Sequence, residues 1–401
     1  MWPFKYPYTN FHELNLDWVL EKVKQNSDAL KQVPSLIDKK IGDLLVSIDS
    51  QFVTPQMFGA KGDGVTDDTD SIESAISASN FVFLPPGNYK ISKDITLPYA
   101  CSIFGAGQDQ SEIKNDENSN GLVLTGNNTI SNLAIRGQEH AVSGTLLRVN
   151  GLYSKIENIK LWYGWDQAVF SGSGHSVESV FALNAKATAV NFANANDVYC
   201  NSIFVIGSSV NGIVSSEKAE AIILSDSTVL MCKRPFVFNT GFKFCKISNC
   251  YFDSGEDNAI LYDTFDVTFS NVWFSSRVNN DGHQRTLLVN GSKNITFADC
   301  DFVNNNRALQ ISLNSKNIKI IGCMFDSNKD KDIFADPTSG IIISDCSFSS
   351  IYNPGIVYGG VEFNGTSTGI VKNNCFEGQV KISGYEGSVG ANFIVDSNVA
   401  I

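Results

Sequence analysis

The chain has 401 residues, 43% of them apolar and 18% charged. That apolar share excludes disorder and can fill a large core, divided into two or three domains or drawn out as one elongated repeat array. The net charge of −12 repels phosphate backbones and anionic membranes, and no apolar run approaches the ~18 residues of a membrane span, so neither nucleic acid nor membrane insertion is expected.

Residues 1–50 read as helical. Met1–Asn10 lacks the apolar core of an export signal. Asn10 and Glu13 form a capping box ahead of FHELNLDWVLEKVKQ. A second helical stretch, Asp28–Ser50, restarts at Pro34 and spaces Leu30, Val33, Ile37, Ile41, Leu44 and Ile48 three or four residues apart. That seam fits a parallel oligomeric stem or an amphipathic helix lying on its own protein.

Residues 51–126 read as a lead-in and capping segment. Met57–Asp70 is rich in glycine and aspartate, yet no apolar strand leads into it and no GKS or GKT is present, which excludes a phosphate loop. Its oxygen ligands do not alternate as a calcium loop requires. Asp67 and Asp68 suit the N-terminus of a helix carrying Ile72, Ala75 and Ile76, placed to cover the open strand edge of a solenoid.

From residue 127 the chain repeats itself. SNLAI, ENIKL, ESVFA, NSIFV, SDSTV, SNCYF, SNVWF, ADCDF, IGCMF, SDCSF and NNCFE recur with a period near 23, their third residues running from Leu133 to Cys375. Three residues before that centre stands an apolar residue in every copy except Lys372, and two after it an apolar residue in every copy except Glu377. The residue just before the centre is Asn or Asp in eight of eleven copies, from Asn132 to Asn374, which marks a sharp bend between short strands. No helical segment follows each strand, so leucine-rich repeats are excluded. The expected fold is all-β, a parallel β-helix (solenoid) with a short N-terminal α-helical stem. Of the nine cysteines none forms a CxxC pair; five, among them Cys250, Cys300, Cys323, Cys346 and Cys375, fall at the centre and are expected inside the rod as small hydrophobes.

FGAKGDGVTDDTDSIESAI followed by FVFLPPGNYKIS resembles the opening of pectate-lyase-3-type, pectin-lyase-like right-handed β-helix proteins, and the coils agree over residues 55–383. PYTNFHELNLDWVLEKVK resembles the N-terminus of podophage tail appendages and tailspikes. The resemblance implies a right-handed β-helix in a virion tail, assembled in the host cytoplasm as a homotrimer. Residues 1–50 would dock to tail or connector proteins and the rod would bind a host-surface glycan. The alternative is a polysaccharide depolymerase, either glycoside hydrolase or lyase; a bacterial adhesin is disfavoured by the missing export signal. The family's Asn-Thr-Asp, Asp-Asp, His-Gly and Arg-x-Lys series and its Trp-Ile-Asp-His and Arg-x-Pro-x-x-Arg segments do not occur, so the resemblance transfers no catalytic residue, cofactor or metal site.

The residues themselves single out two features. The loop after Phe252 carries Asp253, Glu256 and Asp257, and the next coil's insertion carries Arg277, Asp281, His283 and Arg285, beside outward Tyr251 and Trp273. Aromatic faces suit sugar rings, and carboxylates or a histidine suit acid–base work, so Tyr251, Trp273, Arg277 and Arg285 are candidate glycan contacts and Glu256, Asp257, Asp281 and His283 candidate acids or bases. The competing reading is a set of solvated loop charges. The second feature is an outward apolar stripe of Phe181, Leu183, Phe204, Ile206 and Leu230, which fits burial between sister chains or under a loop. His12, His140 and His175 are expected at the surface.

Overall fold

The computed structural model describes residues 52–115, 118–276, 285–349, 360–364, 367–377, 382–383 and 393–400, with Glu21, Lys24 and Lys40 before them. The chain divides into Met1–Val53 and Thr54–Ile401. In the first unit the three isolated residues are helical; the Asn10–Glu13 box, His12 and the seam residues Leu30, Ile37 and Leu44 lie outside the described residues. Among the described residues no helix is long and apolar enough to cross a membrane.

The second unit is a parallel β-helix. Each turn contributes a strand to three files, here sheets I, II and III, and each strand pairs in parallel with its counterpart one coil on. Along sheet I, Ile156 pairs with Val177 and that with Cys200; along sheet II, Leu161 pairs with Ala182 and that with Val205; along sheet III, Ala168 pairs with Val190 and that with Ile213. The pairing is already established at residues 81–84, which pair with 102–105, and these in turn with the strand Thr129–Arg136.

The bend between sheets I and II is the one that the Asn/Asp column marks. Asn132, Asn158, Asp226, Asn249, Asn271, Asp299 and Asp345 all have φ between 51° and 58°, as do Ser179 and Ser202, where a hydroxyl replaces the amide or carboxyl. A single left-handed residue turns the chain by the required angle, and the bent residues bond along the rod: Asn271 Nδ2 donates to Asn249 Oδ1 at 2.9 Å and Asn249 Nδ2 to Asp226 Oδ1 at 3.1 Å.

Both flanking columns are buried and stack. Phe252, Phe274, Phe302, Phe325, Phe348 and Phe376 form a ladder with centroid spacings of 5.8, 4.7, 4.7, 5.0 and 4.6 Å, close to the strand spacing of about 4.8 Å. Burying each ring stabilises the fold by about 1.5–3 kcal/mol.

The last repeat corrects one expectation. Ser347 pairs with Cys375 and Phe348 with Phe376, so the centre of that coil is Asn374, not Cys375. Val371 and Phe376 then fill the two apolar columns, and the exceptions at Lys372 and Glu377 disappear. Asn373 takes the left-handed bend at φ 55°, and buried Asn374 is satisfied by donating to the Ile343 carbonyl and accepting from the Cys346 amide. Cys250, Cys300, Cys323 and Cys346 are inside as free thiols, whereas Cys375 faces outward. Burial pushes the Cys250 thiol up to about 12.

A helix packs on the first strands. Helix α1, Thr69–Ala78, buries Ile72, Ala75 and Ile76 against the first strands. The Asp68 carboxylate accepts from Lys61 N at 2.7 Å and Gly62 N at 2.9 Å, closing the glycine loop, and Asp67 accepts from Thr69 N at 3.0 Å. His175 departs from expectation: it is buried, with Ser154 N donating to Nδ1 at 3.2 Å and Nε2 2.9 Å from the Ser171 carbonyl, so it braces a corner. His140 is exposed.

Candidate functional site

Period-2 alternation fixes the outward file of sheet II. Lys160, Phe181, Phe204, Thr228, Tyr251, Trp273, Asp301 and Met324 stand in register on eight successive coils. The same 4.8 Å spacing that stacks the interior rings stacks outward ones. Tyr251 and Trp273 lie 5.8 Å apart, 17° from parallel, and Tyr251 is 53% exposed. Together they make a two-coil aromatic surface.

One coil beyond Trp273 stands Asp301. Burial raises its carboxyl above the ordinary range, and that carboxylate has no partner among the described residues. On the neighbouring outward file Asp253, in register with Leu230, accepts from the hydroxyls of Ser275 and Ser254. Stacked rings flanked by carboxylates can hold a sugar by its apolar face while accepting hydrogen bonds from its hydroxyls. Sequence reading missed Asp301, although the signal was present: it follows the centre of ADCDF as Trp273 follows the centre of SNVWF.

Of the predicted loop charges, Asp257 is paired within the rod. Asp257 Oδ2 lies 3.0 Å from Arg234 Nε, one coil earlier, and Asp257 Oδ1 accepts from Asn258 N at 2.8 Å. Arg307 and Asp330 repeat the pairing further along, at 2.9 Å, with the Arg307 guanidinium 4.7 Å from the Phe334 ring. Both pairs join residues 23 apart, which makes them clasps between coils. Glu256 is exposed on the turn whose amides bond the Lys233 carbonyl. Arg285 opens the strand Arg285–Asn290, paired in register with Arg307. Arg277, Asp281 and His283 lie outside the described residues.

Nearer the first end, the same two outward files carry the apolar stripe. Phe181 is 39% exposed and 5.7 Å from Phe204, while Leu183, Ile206 and Leu230 are half-buried and in register. The predicted interface and the predicted glycan platform are therefore successive stretches of one face. Beyond the stripe, Lys160 and Arg136 lie over the Trp162 ring at 4.9 and 5.3 Å. Among the described residues no three His, Cys, Asp or Glu side chains gather as a metal site.

Stacked parallel coils with an outward platform define a β-helix of the pectate lyase-like class. The profile of the rhamnogalacturonase A/epimerase, pectate lyase-like family matches residues 53–261, just over half the chain, and that of the right-handed β-helix region matches 236–400. The chain belongs to the rhamnogalacturonase A/epimerase, pectate lyase-like family. Its relatives include the preneck appendage protein of Bacillus phage PZA, 37% identical over 79 residues, or 19% of this chain and 9% of that protein. Depolymerase 1, capsule K30/K69-specific, of Klebsiella phage K5-2 is 38% identical over 61 residues, 15% and 8% of the two chains. Each match spans under a tenth of the curated relative. Tailspike protein 3 of bacteriophage CBA120 superposes with a TM-score of 0.60 at 15% identity, over 91% of this chain and 62% of that one, which shows the shared fold.

Proposed function

We propose that this chain is a phage tail appendage of the tailspike type, which binds a host cell-surface polysaccharide on the outward face of sheet II. Tyr251 and Trp273 supply the stacking surface and Asp301 and Asp253 the acceptors. Residues 1–50 attach it to the virion tail, and three chains assemble along the Phe181–Leu230 stripe. The observation that carries the reading is the exposed Tyr251–Trp273 stack ending on an unpartnered carboxylate. The phage appendage and depolymerase relatives support the setting.

The test is binding of host capsular and wall glycans. Trp273→Ala should weaken affinity by about 1–3 kcal/mol and Asp301→Asn by about 1–2 kcal/mol, with melting unchanged. Unaltered binding in both variants overturns the assignment. The raised Asp301 carboxyl favours a second reading, in which the same face cleaves its glycan with Asp301 as proton donor. New reducing ends or unsaturated uronate absorbance, lost in Asp301→Asn, would establish cleavage.

A further inference from the structure

Sheet I carries a crease of its own. Phe244, Asp266, Asn294, Asn317 and Gly340 are left-handed at φ 57°, 52°, 55°, 55° and 71°, each inside or beside a strand that continues past it. The parallel register stacks these creases into a groove of about 530 Å³ running from Asp266 to Gly340. Three strand steps give it a length of about 14 Å, enough for a short oligosaccharide.

Its floor is Thr268, Thr296 and Lys319, in register on successive strands. Neither hydroxyl nor the ammonium has a side-chain partner among the described residues. Its wall is fixed: Asn294 Nδ2 donates to Asp266 Oδ1 at 2.8 Å, and Asn317 Nδ2 to Asn294 Oδ1 at 3.0 Å. The next rung is missing: Gly340 has no side chain to donate to Asn317 Oδ1, and a Cβ there would stand only 2.9 Å from that oxygen, so the ladder ends on an amide carbonyl with no side-chain donor among the described residues. At the other end Phe244, 52% exposed, stands opposite Asp266 and meets Phe265 edge-on at 6.0 Å.

The charge around the groove runs against that of the chain. Lys246 shares the file of Thr268, and Lys293 and Lys316 lie across the crease; with Lys319 they are exposed and have no ion pair among the described residues. Among the described residues the one carboxylate in the lining, Asp266, is tied to Asn294. A groove offering an aromatic face, hydroxyls, a free carbonyl and unpaired ammonium groups matches a sugar chain that also carries negative charge.

We propose that this crease is a second glycan site, separate from the Tyr251–Trp273 platform, and that it takes an oligosaccharide bearing anionic substituents. One ring lies on Phe244, its neighbours hydrogen-bond Thr268 and Thr296, and the anionic group sits at Lys319.

The test uses the full chain with three probes: oligogalacturonate, dextran sulfate and unsulfated dextran. Binding of either anionic polymer without dextran is expected, weakened as salt rises, and which of the two binds tells carboxylate from sulfate recognition. Lys319→Gln and Phe244→Ala should each lower affinity about tenfold with unchanged melting, while Trp273→Ala leaves it intact. Three results overturn the proposal: no binding of either anionic polymer, equal binding of dextran, or full binding by the Lys319→Gln, Phe244→Ala double variant. Loss of binding in Trp273→Ala alone would assign these ligands to the sheet II platform and leave the crease empty.

Discussion

The inward columns of the rod hardly change along its length, whereas the outward file of sheet II changes its chemistry every two or three coils. Phe252, Phe274, Phe302 and Phe325 repeat one side chain coil after coil, while their outward neighbours pass from the aromatic pair Tyr251 and Trp273 to Asp301 and then Met324. The inside must fill a fixed cross-section at close-packed density, which leaves few solutions. The outside meets only water or a partner, so each coil is free to carry a different group, and function accumulates there.

The sharpest way to break that comparison is to put the same change on both sides. Cys300 lies in the buried central column, and Met324 on the outward file of the next coil. Cys300→Asp places an unpaired carboxylate among stacked thiols and phenyl rings, a loss of about 3–5 kcal/mol that should leave the protein aggregated or unfolded. Met324→Asp should stay within about 0.5 kcal/mol of the parent. Urea unfolding of the two variants decides the matter; a Cys300→Asp protein as stable as Met324→Asp would mean that the column is not interior.

The inside does admit ionisable groups, and Asp332 is the clearest. Its Oδ1 accepts from Asn328 Nδ2 at 2.7 Å and its Oδ2 from the Gly360 amide at 2.5 Å. Burial outweighs these bonds and pushes its carboxyl up to about 7, with Asp326 raising it further and Lys331 opposing. A carboxyl whose folded value lies above its ordinary one contributes stability that is complete below about pH 4 and is lost as pH rises through 7. The rod should therefore melt higher at pH 5 than at pH 8 by a few kcal/mol from this group. Asp332→Asn should flatten the difference. Glu112, Asp166 and Asp301 are raised by burial in the same direction, so the comparison between parent and variant isolates Asp332. An unchanged pH slope in the variant would count against the buried charge.

Why the interior was readable in advance and the sites only partly so follows from the same contrast. Ile130 to Ile343 and Ile135 to Phe348 are apolar at fixed distances from a bend, so the period, the parallel stacking and the asparagine turn were all visible as spacing. The misplaced register at Cys375 shows the limit: two asparagines in tandem offered two bends, and a buried Asn374 is tolerable only because Ile343 and Cys346 satisfy its amide, which spacing does not reveal. Tyr251 and Trp273 were readable because they occupy the repeat itself. Asp257 could be picked out as a charge but not as the partner of Arg234, since the turn between sheets II and III varies in length. The sheet I crease depends on backbone angle along Phe244, Asp266, Asn294, Asn317 and Gly340, and the Asn/Asp type that marks the other bend is carried by only three of the five.

The smallest effect concerns two stretches of the same outward file. Phe204 and Tyr251 are two coils apart in register, both aromatic, the first beside Phe181 and the aliphatic Leu183, Ile206 and Leu230, the second beside Trp273 and Asp253. If the dry stretch is the contact between sister chains, Phe204→Ser should shift the assembly toward monomer in light scattering at micromolar concentration, while costing the single chain only about 1 kcal/mol because the ring is on the outward face and already partly in water. Tyr251→Ser, on the wet stretch, should leave the assembly intact and lower glycan affinity instead. A parent protein that is monomeric in the same measurement, or an assembly that Phe204→Ser and Tyr251→Ser disturb equally, would show that the file is not divided between partner and ligand.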